Sequence, residues 1–152
     1  MDALKLLTER YSEKKLSAPA PDKHQLTQMF QAALRSPDHG RLQPYRFIVI
    51  EQDKMTELSR LLKSAVHELN LGEERLKKAE NLATRAPMII GVVAKIDPNI
   101  KKVPEWEQLL CAGCATYAIQ LAANALGFKN VWISGPWLEG SALRNAFRCE
   151  AQ

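Results

Sequence analysis

The chain has 152 residues, 46% of them hydrophobic and 25% charged, with a net charge of +4. That length fits one domain with an ordinary globular core, and the mild charge, with no dense lysine stripe and no recognised motif, argues against nucleic-acid binding. Three cysteines without a secretory context, and a start (MDALKLLTERYSEKK) with no apolar run of signal-peptide length, argue against export and point to a reducing cytoplasm.

Residues 2–10 read as a short helix, with Leu4, Leu7 and Ala3 on one face and Asp2 favourable at its start. Residues 11–21, broken by SAPAP, read as an extended linker. Asp22 suits the cap of a helix over 23–35, where Leu26, Met29, Phe30, Ala33 and Leu34 recur at helical spacing and Pro37 ends the run. Residues 36–44 (SPDHGRLQP) form a loop carrying Asp38, His39 and Arg41. A strand over 45–51, an amphipathic helix over 54–69 and a charged helix over 73–85 follow. Residues 88–95 (MIIGVVAK) are nearly all apolar, which predicts a central strand covered on both faces.

The run from Leu109 to Leu126 is interrupted only by Thr116, Tyr117, Gln120 and Asn124. It predicts a helix buried on nearly every side, with Pro104 before its first turn and Gly127 as a left-handed cap after it. Gln120, Asn124, Glu105, Glu107 and Gln108 argue against a membrane span. A short strand over 131–134 and a last helix over 139–148 complete the pattern. The fold class is α+β, with helices dominant around a small sheet.

No G-x-G-x-x-G and no Walker-type loop is present. Cys111-x-x-Cys114 falls inside a helix rather than at its N-terminus, so it reads as small core residues and not as a redox pair. Zinc would need further ligands, and His24, His39 and His67 stand singly, so no metal is expected. Arg10-Tyr11-Ser12, Arg35 and His39 flank predicted helix ends. If they converge they form an anion cradle; on spacing alone the arginines compensate helix C-termini. Trp132 and Trp137 flank Ser134-Gly135, which suits a planar ligand or simply core.

Taken in order, MDALxLLxxR-x-S, RSPDHGRLQPYRFIVIE, RAPMIIGVVAK, VPEWEQ, the CAGCA-containing helix and GFKNVWISG resemble the FMN-dependent nitroreductase family, most closely its short YdjA-like branch. The resemblance covers essentially the whole chain. It implies a single nitroreductase-like domain over 1–152 and an oxidoreductase that passes a hydride from NAD(P)H through FMN to a nitro compound, quinone or similar small acceptor. It also implies a homodimer with FMN at the subunit interface. Arg10, Tyr11 and Ser12 match the segment holding the FMN phosphate and ribityl chain. Arg35 and His39 match further FMN contacts, and Trp132, Ile133 and Ser134 match a strand end along the cofactor. Ala122, Ala123, Asn124, Ala125, Leu126 and Gly127 correspond to a stretch assigned to the nicotinamide nucleotide. No acid–base triad is expected, because the flavin carries the electrons. Members of the family have Arg-Arg-Ser and Trp-Arg-Ser where this chain has Arg10-Tyr11-Ser12 and Trp132-Ile133-Ser134. They also continue into a last core strand and a C-terminal arm, so the resemblance implies a C-terminally shortened chain. The alternative reading is a catalytically impaired or truncated flavin-binding relic without turnover.

Overall fold

The computed structural model describes residues 2–149. In chain order it contains α1 (Ala3–Glu9), α2 (Lys23–Ala33), β1 (Tyr45–Ile50), α3 (Met55–Glu68), α4 (Glu73–Leu82), β2 (Ile89–Ala94), α5 (Glu105–Ala125) and α6 (Ser141–Ala146). The strands β1 and β2 form a two-stranded sheet. Lys95 N donates to Pro44 O at 3.0 Å, so the start of β1 meets the end of β2 and the pair is antiparallel. The chain divides into two compact units. The first holds the segment up to Glu13, Ala20–Phe47 and Gly91–Val131; the second holds Lys14–Pro19, Ile48–Ile90 and the chain from Trp132 onward.

In the first unit, local chemistry sets the helix ends. The Asp2 carboxylate accepts from Leu4 N at the start of α1. Asp22 and Gln25 form a reciprocal capping box on α2. Beyond α5, Gly127 takes φ +94°. Phe128 N then reaches Ala123 O at 2.9 Å and Gly127 N reaches Asn124 O at 3.0 Å, the Schellman closure. The loop before α5 is pinned by Gln108. Its Oε1 accepts from Asp97 N, and its Nε2 donates to Asp97 O and Val103 O, at 2.8–2.9 Å.

Three sequence expectations are corrected. The helix α5 is not buried on every side. Cys111, Ala112, Ala115, Ile119 and Ala123 are buried, whereas Trp106, Leu109 and Leu110 are 64%, 57% and 61% exposed. Within this unit α1 and α2 pack against α5 and leave its other apolar face uncovered. The strand β2 is not central either: no residue in it is buried and Val92 is exposed. In a sheet of two strands both are edges. Residues 131–134 form no strand; β-forming side chains make one only when a neighbouring backbone supplies the ladder, and among the described residues none does.

The second unit has its own core. Met55, Leu58, Leu61, Leu62, Ala65 and Val66 from α3 close over Ala79, Trp137 and Leu143. Gly140, before α6, is a packing requirement, because a Cβ there would run into the Cβ of Ala65. Ser141 N donates to Glu68 Oε2 at 2.9 Å, which ties α6 to the end of α3. Among the described residues no helix is long and apolar enough to cross a membrane.

Candidate functional site

The segment after α1 is moored to the C-terminal end of α5. Arg10 Nε donates to Asn124 Oδ1 at 3.5 Å, and the Arg10 guanidinium lies 5.8 Å from the centre of the Tyr117 ring. One residue on, Lys129 Nζ sits 4.4 Å from the Tyr11 ring centre. Glu13 N donates to Asn130 O at 3.0 Å. Asn130 is itself fixed by Gln120, whose Nε2 donates to Asn130 Oδ1 at 3.0 Å, while Asn130 Nδ2 donates to Gln120 O at 3.1 Å. The polar interruptions in the apolar run are therefore docking points. Tyr117 and Asn124 lie two turns apart on one helix face and meet the same arginine.

This docking leaves one group unsatisfied. Arg10 Nη2 is buried and has no hydrogen-bond partner. A buried guanidinium nitrogen without an acceptor costs more than a neutral orphan, and the partner that relieves it is an anion. Ser12 lies exposed two residues further on. The donor set of Arg10 with Ser12 and nearby Lys129 fits a phosphate. Among the described residues, Ser36 Oγ is the other buried side-chain polar atom without a partner.

Ser36 opens the loop that carries His39. That loop is tightly wound: Gly40, Arg41 and Gln43 all have positive φ, at 76°, 51° and 47°. For Arg41 and Gln43 this is strained backbone, held because the Asp38 carboxylate accepts from Leu42 N at 3.1 Å and from Gln43 N at 2.8 Å. The loop presents His39 to α5, where His39 Nδ1 lies 2.7 Å from Glu107 Oε1. Pro37, Asp38, His39, Glu107, Leu110, Cys111 and Cys114 line a hollow of about 220 Å³. Burial and the neighbouring Asp38 carboxylate push the Cys111 thiol up to about 11. Cys111 is thus the inert core thiol that its helical setting suggested, but Cys114 is exposed, against the expectation that both are core. Among the described residues no cluster of His, Cys, Asp and Glu could hold a metal ion. Arg35 is exposed just past the end of α2.

Trp132, Ile133 and Ser134 belong to the second unit and are all exposed. Trp137 is buried in that unit's core, with the Arg75 guanidinium 5.5 Å from its ring centre. A Cβ on Gly135 would lie 2.8 Å from the Trp137 ring. The close approach of the Trp137 ring by itself requires glycine at position 135. Sequence reasoning missed Tyr117, Glu107 and Lys129. Tyr117 and Asn124 stood out as polar breaks in the run, but only the fold shows what they touch.

The sequence model of the Nitroreductase family matches residues 7–150. A Haemophilus influenzae protein named "Putative NAD(P)H nitroreductase" is 66% identical over 152 residues, which span all of this chain and 83% of that protein. "Putative NAD(P)H nitroreductase YdjA" of Escherichia coli K12 is 43% identical over the same 152 residues and 82% of its own length. Among solved structures, a nitroreductase-like family protein from Bacillus cereus superposes with a TM-score of 0.81 at 19% identity, over 97% of this chain and 77% of that one. A nitroreductase with bound FMN from Desulfitobacterium hafniense DCB-2 gives 0.64 at 26% identity, over 95% of this chain and 74% of that one. The fold is that of these proteins, helices with a small antiparallel sheet. A family match spanning residues 7–150, joined to an end-to-end alignment at 66% identity, places the chain in the nitroreductase family.

Proposed function

We propose that the protein is an FMN-dependent NAD(P)H oxidoreductase acting on a small electron acceptor. The observation that carries this reading is the buried, unpartnered Nη2 of Arg10. It lies in the segment where the family resemblance puts the flavin phosphate, and a solved relative carries bound FMN. Arg10 and Ser12 bind the phosphate, with Tyr11 beside the ribityl chain. Arg35 and His39 supply further donors, His39 being held by Glu107. The family resemblance assigns Trp132, Ile133 and Ser134, which belong to the second unit, to the ring system. When bound, FMN supplies the two-electron chemistry between a reduced nicotinamide and an acceptor such as a nitro compound or quinone. The residues of this chain contribute position and electrostatics.

A second copy of the chain completes the molecule. The uncovered face of α5 presents Trp106, Leu109 and Leu110. Near it α1 has no buried residue, and its Leu4 and Leu7 are 71% and 49% exposed. A contiguous apolar stripe of this kind marks an interface, and homodimerisation covers it.

The test is flavin titration followed by fluorescence quenching. The protein binds FMN more tightly than riboflavin, which lacks the phosphate. Arg10→Ala weakens FMN about 10- to 100-fold, as expected for a lost charge-assisted contact of roughly 1.5–3 kcal/mol, and leaves riboflavin unchanged. Equal affinity of the wild-type protein for both flavins would refute the phosphate assignment. Binding of FMN without oxidation of NADH or NADPH by a nitroaromatic would refute the catalytic one.

A further inference from the structure

The resemblance assigns residues 122–127 to a nicotinamide nucleotide, and the geometry points elsewhere. Both ends of the Asn124 amide are engaged within the chain: Oδ1 accepts from Arg10 Nε at 3.5 Å and Nδ2 donates to Phe128 O at 3.1 Å. Ala123 is 4% exposed. Gly127 is glycine because its φ is +94°; a Cβ there would meet nothing within 4 Å, so no close approach requires it. The segment ends a 21-residue helix, where the negative end of the dipole disfavours a pyrophosphate. What this helix end does have is a cation. The Arg10 guanidinium lies against it, held by Asn124 from one side and by the Tyr117 ring, 5.8 Å from the centroid. A guanidinium in that place gains from the helix C-terminus and from the ring, and both hold it in one rotamer while Nη2 stays unpaired.

We propose that Asn124 and Tyr117 are positioning residues for Arg10, so that the end of α5 serves the flavin phosphate through that arginine and does not contact the nicotinamide nucleotide. The proposal rests on the FMN reading above. A preset arginine binds its anion without first losing side-chain freedom, so removing the supports weakens the phosphate contact while leaving the arginine in the sequence.

The experiment compares FMN and riboflavin affinities for the wild-type protein, Asn124→Ala, Tyr117→Leu, Arg10→Ala and the double variant Arg10→Ala/Asn124→Ala. Steady-state KM for NADH and NADPH is measured alongside. Asn124→Ala and Tyr117→Leu each lower the preference for FMN over riboflavin about fivefold or more, with riboflavin affinity unchanged. In the Arg10→Ala background Asn124→Ala changes the preference no further, the coupling expected if it acts only through Arg10. Thermal denaturation checks that each variant folds; if Asn124→Ala does not, Tyr117→Leu, which leaves the helix end intact, carries the test. An unchanged flavin preference in the folded variants overturns the proposal, as does an equal loss with and without Arg10. A raised nicotinamide KM with intact FMN affinity restores the nucleotide assignment. A wild-type protein that does not prefer FMN overturns both this proposal and the phosphate reading beneath it, whereas a preference that the supports do not affect overturns this proposal alone.

Discussion

Cys111 shows how one buried side chain couples stability to pH. Its thiol is pushed from an ordinary 9.0 to about 11, first by burial and then by the charge and hydrogen bond of Asp38. Below pH 9 the thiol keeps its proton in both folded and unfolded chains, and its contribution is constant. Between pH 9 and 11 the unfolded chain loses that proton and the folded chain keeps it, so stability falls as pH rises. Tyr45, raised by burial and then by the charges of Cys111 and Asp38, adds a loss of the same sign above pH 10. Cys111→Ala should therefore flatten the alkaline decline of thermal midpoint between pH 9 and 11, as followed by circular dichroism. An unaltered slope would show that Cys111 does not cause it. The buried thiol was legible in the sequence as a small residue in an apolar run. Its acidic neighbour, 73 positions away in sequence, was not.

At the scale of elements, side chains that tie a loop to a helix matter more than the helix's own propensity. Gln108 is 1% exposed and satisfies three backbone groups of the loop between β2 and α5. Gln108→Leu keeps the volume but strands Asp97 N, Asp97 O and Val103 O. With each unmet group worth about 1–3 kcal/mol, less what water recovers, a destabilisation of about 2–4 kcal/mol is expected. Urea denaturation measures it, and a change below 1 kcal/mol would show that water replaces the amide freely. Helix starts and stops were readable because their causes are local: Asp2, the Asp22–Gln25 box and Gly127 act within one turn. The strand expected at 131–134 was not obtained. Its residue types are right, but a strand is a relation between two segments, and composition reports only one of them.

For the whole molecule, the decisive feature is a helix apolar on two faces with only one of them covered within its unit. Periodicity could not separate a helix buried inside one chain from a helix shared between two, because both bury every side. If two copies meet along this face, Leu109→Glu places a charge in a dry contact at a cost of about 3–5 kcal/mol. That weakens the dimer by roughly 100- to 1,000-fold or more. Light scattering after size exclusion should show the wild-type protein at twice its 17.1 kDa chain mass and the variant at one. A wild-type monomer, or an undisturbed dimer in the variant, would rule this face out.

The sequence by itself determined which segments are helices, the caps of α1, α2 and α5, and which family pattern the chain carries, because caps, turns and periodicity are written in neighbouring residues. The tertiary structure alone decided what the polar breaks in α5 are for, since Tyr117 and Asn124 acquire their meaning from an arginine more than a hundred positions earlier. It also decided that Arg10 keeps one nitrogen buried and unpaired. An unmet hydrogen bond depends on everything that surrounds it in space, and no spacing along the chain encodes that.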